Sequence, residues 1–315
     1  MRWKLVLILV SWLSRSCIAQ VNLVPNFSFE ILSQCPYPGG DISVSTPWKT
    51  PNLGTPDLWH AGCLGSFGPP NIILSGHNLY QFPHTGVSFI GVGLFTINSS
   101  LREYISVNLS EPLISGKKYY VEFFLSLTNA SIYAIEDIGL YFDTTESPFD
   151  PTLYNLPFEP QIRNTPGVLL SDTLNWMKVS GIYEATGNEK SIIIGNFKPD
   201  SLTNFQIVNP AGGLSSYYWI DDVYVGEYIP KPEPEFSLSP NPGNGDVVFN
   251  YHLGLHESAV FRLYNSIGQL VAVKGIDTQT GTVQFQFPYL QSGVYYWQVV
   301  SGGEVLGANK WVVNR

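Results

Sequence analysis

The stretch PKPEPEFSLSPNPGNGD, residues 230–246, places five prolines and three acids within seventeen positions. Alternating prolines hold a chain extended and interrupt sheet pairing, and the acids keep it solvated. Strand-patterned sequence lies on both sides, so this stretch reads as a break between two separately folded β-units. On the N-terminal side the pattern runs through REYISVNL (102–109), KYYVEFFLSL (118–127), IGLYFD (138–143), WMKVSGIYEA (176–185), KSIIIGNF (190–197) and YYWIDDVYV (217–225). On the C-terminal side it runs through DVVFNYHL (246–253), SAVFRLYNSIGQLVAVK (258–274), GTVQFQFPYL (281–290), GVYYWQVVSG (293–302) and EVLGANKWVVN (304–314). Period-two runs rich in Val, Ile, Tyr and Phe, separated by Gly/Pro turns, predict antiparallel sheets. NSIGQ and SGGE supply hairpin turns. The expected fold class is therefore all-β: a larger two-sheet sandwich over residues 20–228, a Pro/Glu linker at 229–235, and a smaller immunoglobulin-like sandwich over 236–315. Residues 144–171, proline-rich and weakly periodic, read as a long loop or insertion over one end of the larger sandwich.

The chain has 315 residues, of which 44% are hydrophobic, 14% aromatic and only 13% charged. Residues 1–19 combine basic Arg2 and Lys4, the apolar run LVLILVSWL and the small-residue end CIA, the layout of a secretory signal peptide. No later run is apolar enough for a membrane span, so the mature chain is expected to lack a transmembrane segment. Residues 20–230 hold nineteen acids against eight bases, a net −11, while residues 236–315 hold four of each. Such acidity offers no phosphate-neutralising face and argues against a nucleic-acid partner. Beyond the signal peptide two cysteines remain, Cys35 and Cys63. In an exported chain that even count predicts a disulfide.

Catalytic signatures are missing. The sequence contains no G-x-S-x-G, no H-E-x-x-H and no P-loop, and GVGLF (91–95) lacks the third glycine of a dinucleotide loop. Adjacent carboxylates such as Glu136 with Asp137, or Asp221 with Asp222, should point to opposite faces of a strand and so not form an acid/base pair. His60, His77 and His84 are irregularly spaced, and FPHTG (82–86) reads as a turn, which favours solvated or turn-capping roles over a metal cluster. The expectation is a protein that is not an enzyme.

The ends of the larger unit, NLVPNFSFE (22–30) and YYWIDDVYV (217–225), resemble the first and last strands of galactose-binding-like jelly rolls, the fold of many carbohydrate-binding modules. That resemblance implies a jelly-roll sandwich whose terminal strands lie side by side. It also implies a structural calcium, for which Glu30 and Asp221 are the candidate ligands. Strand alternation places Asp221 with Val223 and Val225 on the buried face, where a carboxylate needs a counter-charge, and Asp222 on the other. Carboxylates bonded to backbone amides at the sandwich rim are the alternative. A glycan ligand, also implied, would use exposed aromatic platforms, and Trp48, Trp59, Tyr80 and Phe82 are the candidates.

The C-terminal unit closely resembles the type A C-terminal sorting domain of type IX secretion in Bacteroidetes. SLSPNPGNGDVVF carries the opening element with Pro240, Asn241 and Pro242; LYNSIGQLV carries the central turn with Gly268. LQSGVYYWQVVSGGEVLGANKWVV carries Gly293, Val294, Tyr295 and Lys310 of the closing hairpin. The resemblance implies export across the outer membrane to the cell surface or medium. It also implies recognition by the type IX translocon and removal by a sortase-like peptidase cutting in the linker. The resulting expectation is a surface-anchored, non-catalytic binding or adhesion protein for a glycan or other surface ligand. The alternatives are a carbohydrate-active enzyme with its site in 144–171 and a structural coat component.

Overall fold

The computed structural model describes residues 20–37, 40–64, 68–97, 99, 102–144 and 154–315. The expected signal peptide and residues 145–153 of the expected insertion therefore lie outside the described residues. The chain divides into two compact units between Tyr228 and Ile229.

The first unit contains β1 (Gly40–Asp41), β2 (Asp57–His60), a single-turn helix α1 (Ala61–Leu64), β3 (Asn71–Leu74), β4 (His77–Tyr80), β5 (Ser88–Phe95), β6 (Ile105–Asn108) and β7 (Lys118–Leu127). It continues with β8 (Tyr133–Ile135), β9 (Gly139–Asp143), β10 (Ile162–Arg163), β11 (Met177–Glu184), β12 (Ser191–Gly195), β13 (Phe205–Ile207) and β14 (Ser216–Glu227). A six-stranded sheet in the order β1-β2-β5-β14-β7-β11 faces a four-stranded sheet in the order β10-β9-β12-β6. Alternation in β7 shows how the sequence builds this layer. Val121, Phe123 and Leu125 point inward and are fully buried, while Tyr120, Glu122 and Phe124 stand on the outer face, half-buried. Ile105, Val107, Leu140, Phe142, Ile192 and Ile194 from the second sheet meet them in one core.

The first and last segments are adjacent, and the side chain of Asn22 holds them together. Its Oδ1 accepts the N–H of Val24 at 3.0 Å and of Val225 at 3.1 Å, and its Nδ2 donates to Val223 O at 3.0 Å. A second apolar layer covers part of the outer face of the six-stranded sheet, where Ile72 and Leu79 of the β3–β4 hairpin pack on Trp59, Phe89 and Trp219. The disulfide between Cys35 and Cys63 is formed, with the Cα atoms 5.3 Å apart. The described part of the expected insertion, residues 154–171, supplies a short strand and apolar side chains to the second sheet. β10 extends the second sheet beside β9, and Phe158 stacks on Tyr141 with centroids 4.5 Å apart. Leu156 joins Tyr104, Ile193 and Phe197 in a small outer core. Apolar residues too sparse to show periodicity in sequence still have a sheet face to cover.

The second unit is a seven-stranded sandwich: β15 (Glu235–Ser239), β16 (Asp246–His252), β17 (Ala259–Tyr264), β18 (Leu270–Ile276), β19 (Thr280–Gln286), β20 (Gly293–Ser301) and β21 (Glu304–Val313). Sheets β15-β16-β19 and β18-β17-β20-β21 enclose Phe249, Phe261, Trp297, Val299 and Trp311. The fold class is all-β, as the alternation predicted.

Candidate binding groove

The groove begins with a fault in pairing. β14 meets β7 at Asp221↔Phe124 and next at Tyr224↔Glu122, so three steps along one strand match two along the other. The extra residue makes a β-bulge, with Asp222 in the left-handed region at φ 47°. Asp tolerates that conformation better than a branched or bulky residue would. Ile220, Val223 and Val225 all belong to the core, so the bulge restores inward alternation for the valines. Asp221 and Asp222 then fall on the same, outer side, where both bond to the loop preceding β5. This corrects the alternation argument, which placed Asp221 beside Val223 and Val225 and sent Asp222 to the opposite face.

That loop, residues 82–88, is held by the two carboxylates singled out in the sequence. Asp221 is fully buried. Its Oδ2 accepts the N–H of His84 at 2.8 Å and of Thr85 at 3.3 Å, and its Oδ1 that of Asp222 at 2.7 Å. Burial, helped by the neighbouring charge of Asp222, raises the Asp221 carboxyl to about 8. Glu30 Oε1 accepts the N–H groups of Val87 and Ser88, each at 2.9 Å. Gly86 lies between these anchors at φ 62°, and a Cβ there would collide with the Glu30 carboxylate. The geometry is that of carboxylates bonded to rim amides. Both oxygens of Asp221 and Oε1 of Glu30 are met by N–H donors. Among the described residues, no group of three or more His, Cys, Asp or Glu is placed to hold a metal.

Anchoring the loop builds a groove of about 480 Å³ on the outer face. Phe124 and Tyr224 line it beside Phe27 and Asn22 of the opening segment, and His84 and Thr85 come from the anchored loop. The His84 ring stacks on Phe124 with centroids 3.8 Å apart, and its Nδ1 lies 2.5 Å from Asp222 Oδ2. Thr85 Oγ1 donates to Asp222 Oδ1 at 2.7 Å. Glu122 Oε2 accepts the Tyr120 hydroxyl at 2.7 Å and lies 3.5 Å from Lys178 Nζ. Trp176 braces the loop from outside, its Nε1–H donating to Phe82 O at 3.0 Å. The groove thus offers aromatic rings and two carboxylates held by their own neighbours.

The four aromatics proposed from sequence divide sharply. Trp48 is 2% exposed, packed on Phe29 with its Nε1–H given to Asn26 O, and Trp59 is fully buried against Trp219. Neither can be a surface platform, because each fills an interior layer. Tyr80 and Phe82 are about half exposed and meet edge to face, 5.6 Å apart, at the start of the anchored loop. Sequence reasoning missed Phe27, Glu122, Phe124, Asp222 and Tyr224 and took His84 for a turn residue. One signal was available: Tyr120, Glu122 and Phe124 alternate with core residues, and two aromatics on an outward face mark a surface that is not simply solvated. His60 caps a turn, its Nδ1 accepting Gly62 N–H at 3.0 Å.

A distant carboxylate pair also comes together, invisible to sequence. Asp57 accepts the Tyr217 hydroxyl, and Glu103 accepts the N–H groups of Gly93 at 2.6 Å and Thr55 at 3.0 Å. Burial, with the charge of Glu103 adding to it, raises Asp57 to about 7. Burial raises Glu103 as well. These groups do not line the groove.

In the second unit the residues of the opening and closing elements meet. Asn241 donates to Lys310 O at 3.0 Å and accepts Val312 N–H at 2.9 Å, and Trp311 Nε1–H donates to Pro240 O at 3.0 Å. Gly243, just after Pro242, donates its N–H to Val312 O at 2.9 Å. Gly268 turns the β17–β18 hairpin at φ 80°. Gly293 and Val294 pair with Val313 and Val312, and Tyr295 packs near Trp311.

Residues 237–314 match the family model described as a secretion system C-terminal sorting domain. No curated protein matches the chain. One similar solved structure is the CBM22-1-GH10 modules of a Clostridium thermocellum endo-1,4-beta-D-xylanase complexed with xylohexaose. It has 11% identity and a TM-score of 0.33, and the match covers 68% of this chain and 29% of that one. Another is the N-terminal CBM22-1-CBM22-2 tandem domain from Paenibacillus barcinonensis, at 8% identity and TM-score 0.36, covering 94% of this chain and 85% of that one. A third is the adhesin domain of Epf from Streptococcus pyogenes, at 11% identity and TM-score 0.23, covering 75% of each chain. The sorting unit directs the chain through the type IX secretion machinery, across the outer membrane to the cell surface or extracellular space.

Proposed function

We propose that the first unit is a non-catalytic glycan-binding or adhesive module that the second unit delivers to the outside of the cell. The observation that carries this reading is the groove over the β14 bulge. Sugar rings present flat C–H faces that stack on aromatic side chains, and their hydroxyls need fixed acceptors. Phe124, Tyr224 and the half-exposed Phe27 supply the first, and Glu122 and Asp222 the second. The acceptors are held before any ligand arrives, which reduces the ordering cost of binding. Exposed Tyr80 and Phe82 stand where a longer chain could continue beyond the anchored loop.

The test uses residues 20–228, a unit with its own core, on a glycan array followed by calorimetry. Replacing Phe124 or Tyr224 with Ala should weaken binding at least about tenfold, roughly 1.4 kcal/mol. A hydrolysis assay runs on the same samples. Turnover of a bound chain would replace this reading with a carbohydrate-active enzyme. An array without any binder would favour a structural coat component.

A further inference from the structure

We infer that the groove selects sugars bearing a protonated amine, such as 2-amino-2-deoxyhexose units, over neutral and anionic ones; this rests on the glycan-binding reading. The shape and the sign of charge lead to it separately. Phe27, Phe124 and Tyr224 line the same space as Glu122 and Asp222. A ring face attracts a cation through its quadrupole, and a carboxylate does so by charge and hydrogen bonding. A neutral sugar meets the carboxylates only through hydroxyl hydrogen bonds, without the added attraction of charge.

The charged and titratable groups at the groove are Glu122, Asp222, His84 and the Tyr224 phenol, with Lys178 and Tyr120 at its margin beside Glu122. Asp222 is already engaged at both oxygens, by His84 and by Thr85. Glu122 gives Oε2 to the Tyr120 hydroxyl and pairs through the same oxygen with Lys178 Nζ at 3.5 Å, which leaves Oε1, to which no hydrogen bond is made among the described residues. That oxygen is the acceptor for an ammonium group lying against Tyr224, the residue paired with Glu122 across β14 and β7. Residues 20–230 carry a net −11, so the field of the whole unit draws cations inward and repels uronic or sulfated chains.

Calorimetry on residues 20–228 would compare four oligomers of equal length at pH 6: a β-1,4-glucosamine chain, its N-acetylated form, a cello-oligosaccharide and an oligogalacturonate. The glucosamine chain should bind about tenfold tighter than the N-acetylated or cello chain, and the anionic oligomer should be weakest. Raising salt should shrink that preference while the stacking contribution persists. Glu122→Gln should bring the affinity ratio of amine to N-acetyl chain close to one. The salt series on the unaltered protein tests the same selection without a variant. Equal affinity for all four, or preference for the anion, would overturn the amine selection yet leave glycan binding in place. Amine preference that Phe124→Ala does not weaken, or no binding at all, would sink both.

Discussion

The two sandwiches solve the same packing problem with different materials. The first buries polar and charged side chains throughout its interior, among them Gln81, Arg102, Glu189, Asn196 and Asp221. Among the described residues, the second buries no polar or charged side chain at all; Trp297, Trp311, Phe249 and Phe261 fill its interior. A buried polar group is costly unless its partners are in place, so it survives where it fixes a geometry. In the first unit those groups tie down loops and a bulge, and a groove results. In the second they are absent, and the fold presents opening and closing elements clamped to one another and a regular set of hairpins. The first unit thus uses buried polar groups to shape its loops, whereas the second relies on apolar packing and backbone pairing.

The largest expected effect lies in the apolar unit. Trp311→Ala removes a fully buried ring and leaves Pro240 O without its donor. Such truncations cost about 3–5 kcal/mol, comparable to everything a single core of this size supplies. The sorting unit should unfold and the chain should accumulate in the periplasm, as should a chain lacking residues 310–315. Proteolysis of intact cells checks this, and normal surface amounts of either variant would break the contrast between the units.

Reduction of the disulfide comes next and touches only the first unit, since the second has no cysteine. Closing a loop with a sequence separation of 28 contributes about 3 kcal/mol on the chain-entropy model. Reductant should lower the melting temperature of residues 20–228 and leave that of residues 229–315 in place. Mass spectrometry without reductant should show Cys35 linked to Cys63.

A smaller effect separates the units by pH. Burial holds Asp57 near 7 and Asp221 near 8, both above the ordinary value of 3.8. The folded state therefore keeps protons that the unfolded state has released. Their contribution is fully present below pH 3.8 and is lost as pH rises through 7 and 8. The lowered carboxyls of Asp172 and Glu189 work in the opposite sense, their contribution being lost only as pH falls below the ordinary carboxylate range. Melting of the first unit should thus fall between about pH 5 and 9, and Asp221→Asn should flatten the slope. The second unit, without a buried carboxylate, should show a weaker dependence. Equal slopes would remove buried carboxylates as the distinguishing feature.

Calcium is expected to act least. A cation present at a hundredfold excess over its dissociation constant would add about 2.7 kcal/mol. Amides already engage both Asp221 oxygens and Oε1 of Glu30, so calcium is expected to stabilise residues 20–228 by less than that, read as a small shift in melting temperature between calcium and chelator. A full calcium-dependent rise, abolished in Asp221→Asn, would place an ion at the first and last strands after all.

The amino-acid sequence by itself determined the class of fold, the break near residue 229 and the identity of the sorting unit. The class and the break depend on period-two alternation, proline density and turn glycines, all of which act over a few neighbouring residues, while the sorting unit was legible through the resemblance of its motifs. The sequence also brought Cys35 to Cys63 by the logic of an exported chain. It did not determine which aromatics were exposed: Trp48 and Trp59 looked like Tyr80 and Phe82 until the interior layers of the first unit buried them. Nor could it reveal the groove. A single extra residue in β14 reversed the face of Asp221, and nothing in YYWIDDVYV announces that register slip, because its partner lies about a hundred residues away in β7. Burial and pairing across the sheet are decided by distant segments meeting, so the bulge, the loop it anchors and the rings around Glu122 exist only in the tertiary structure.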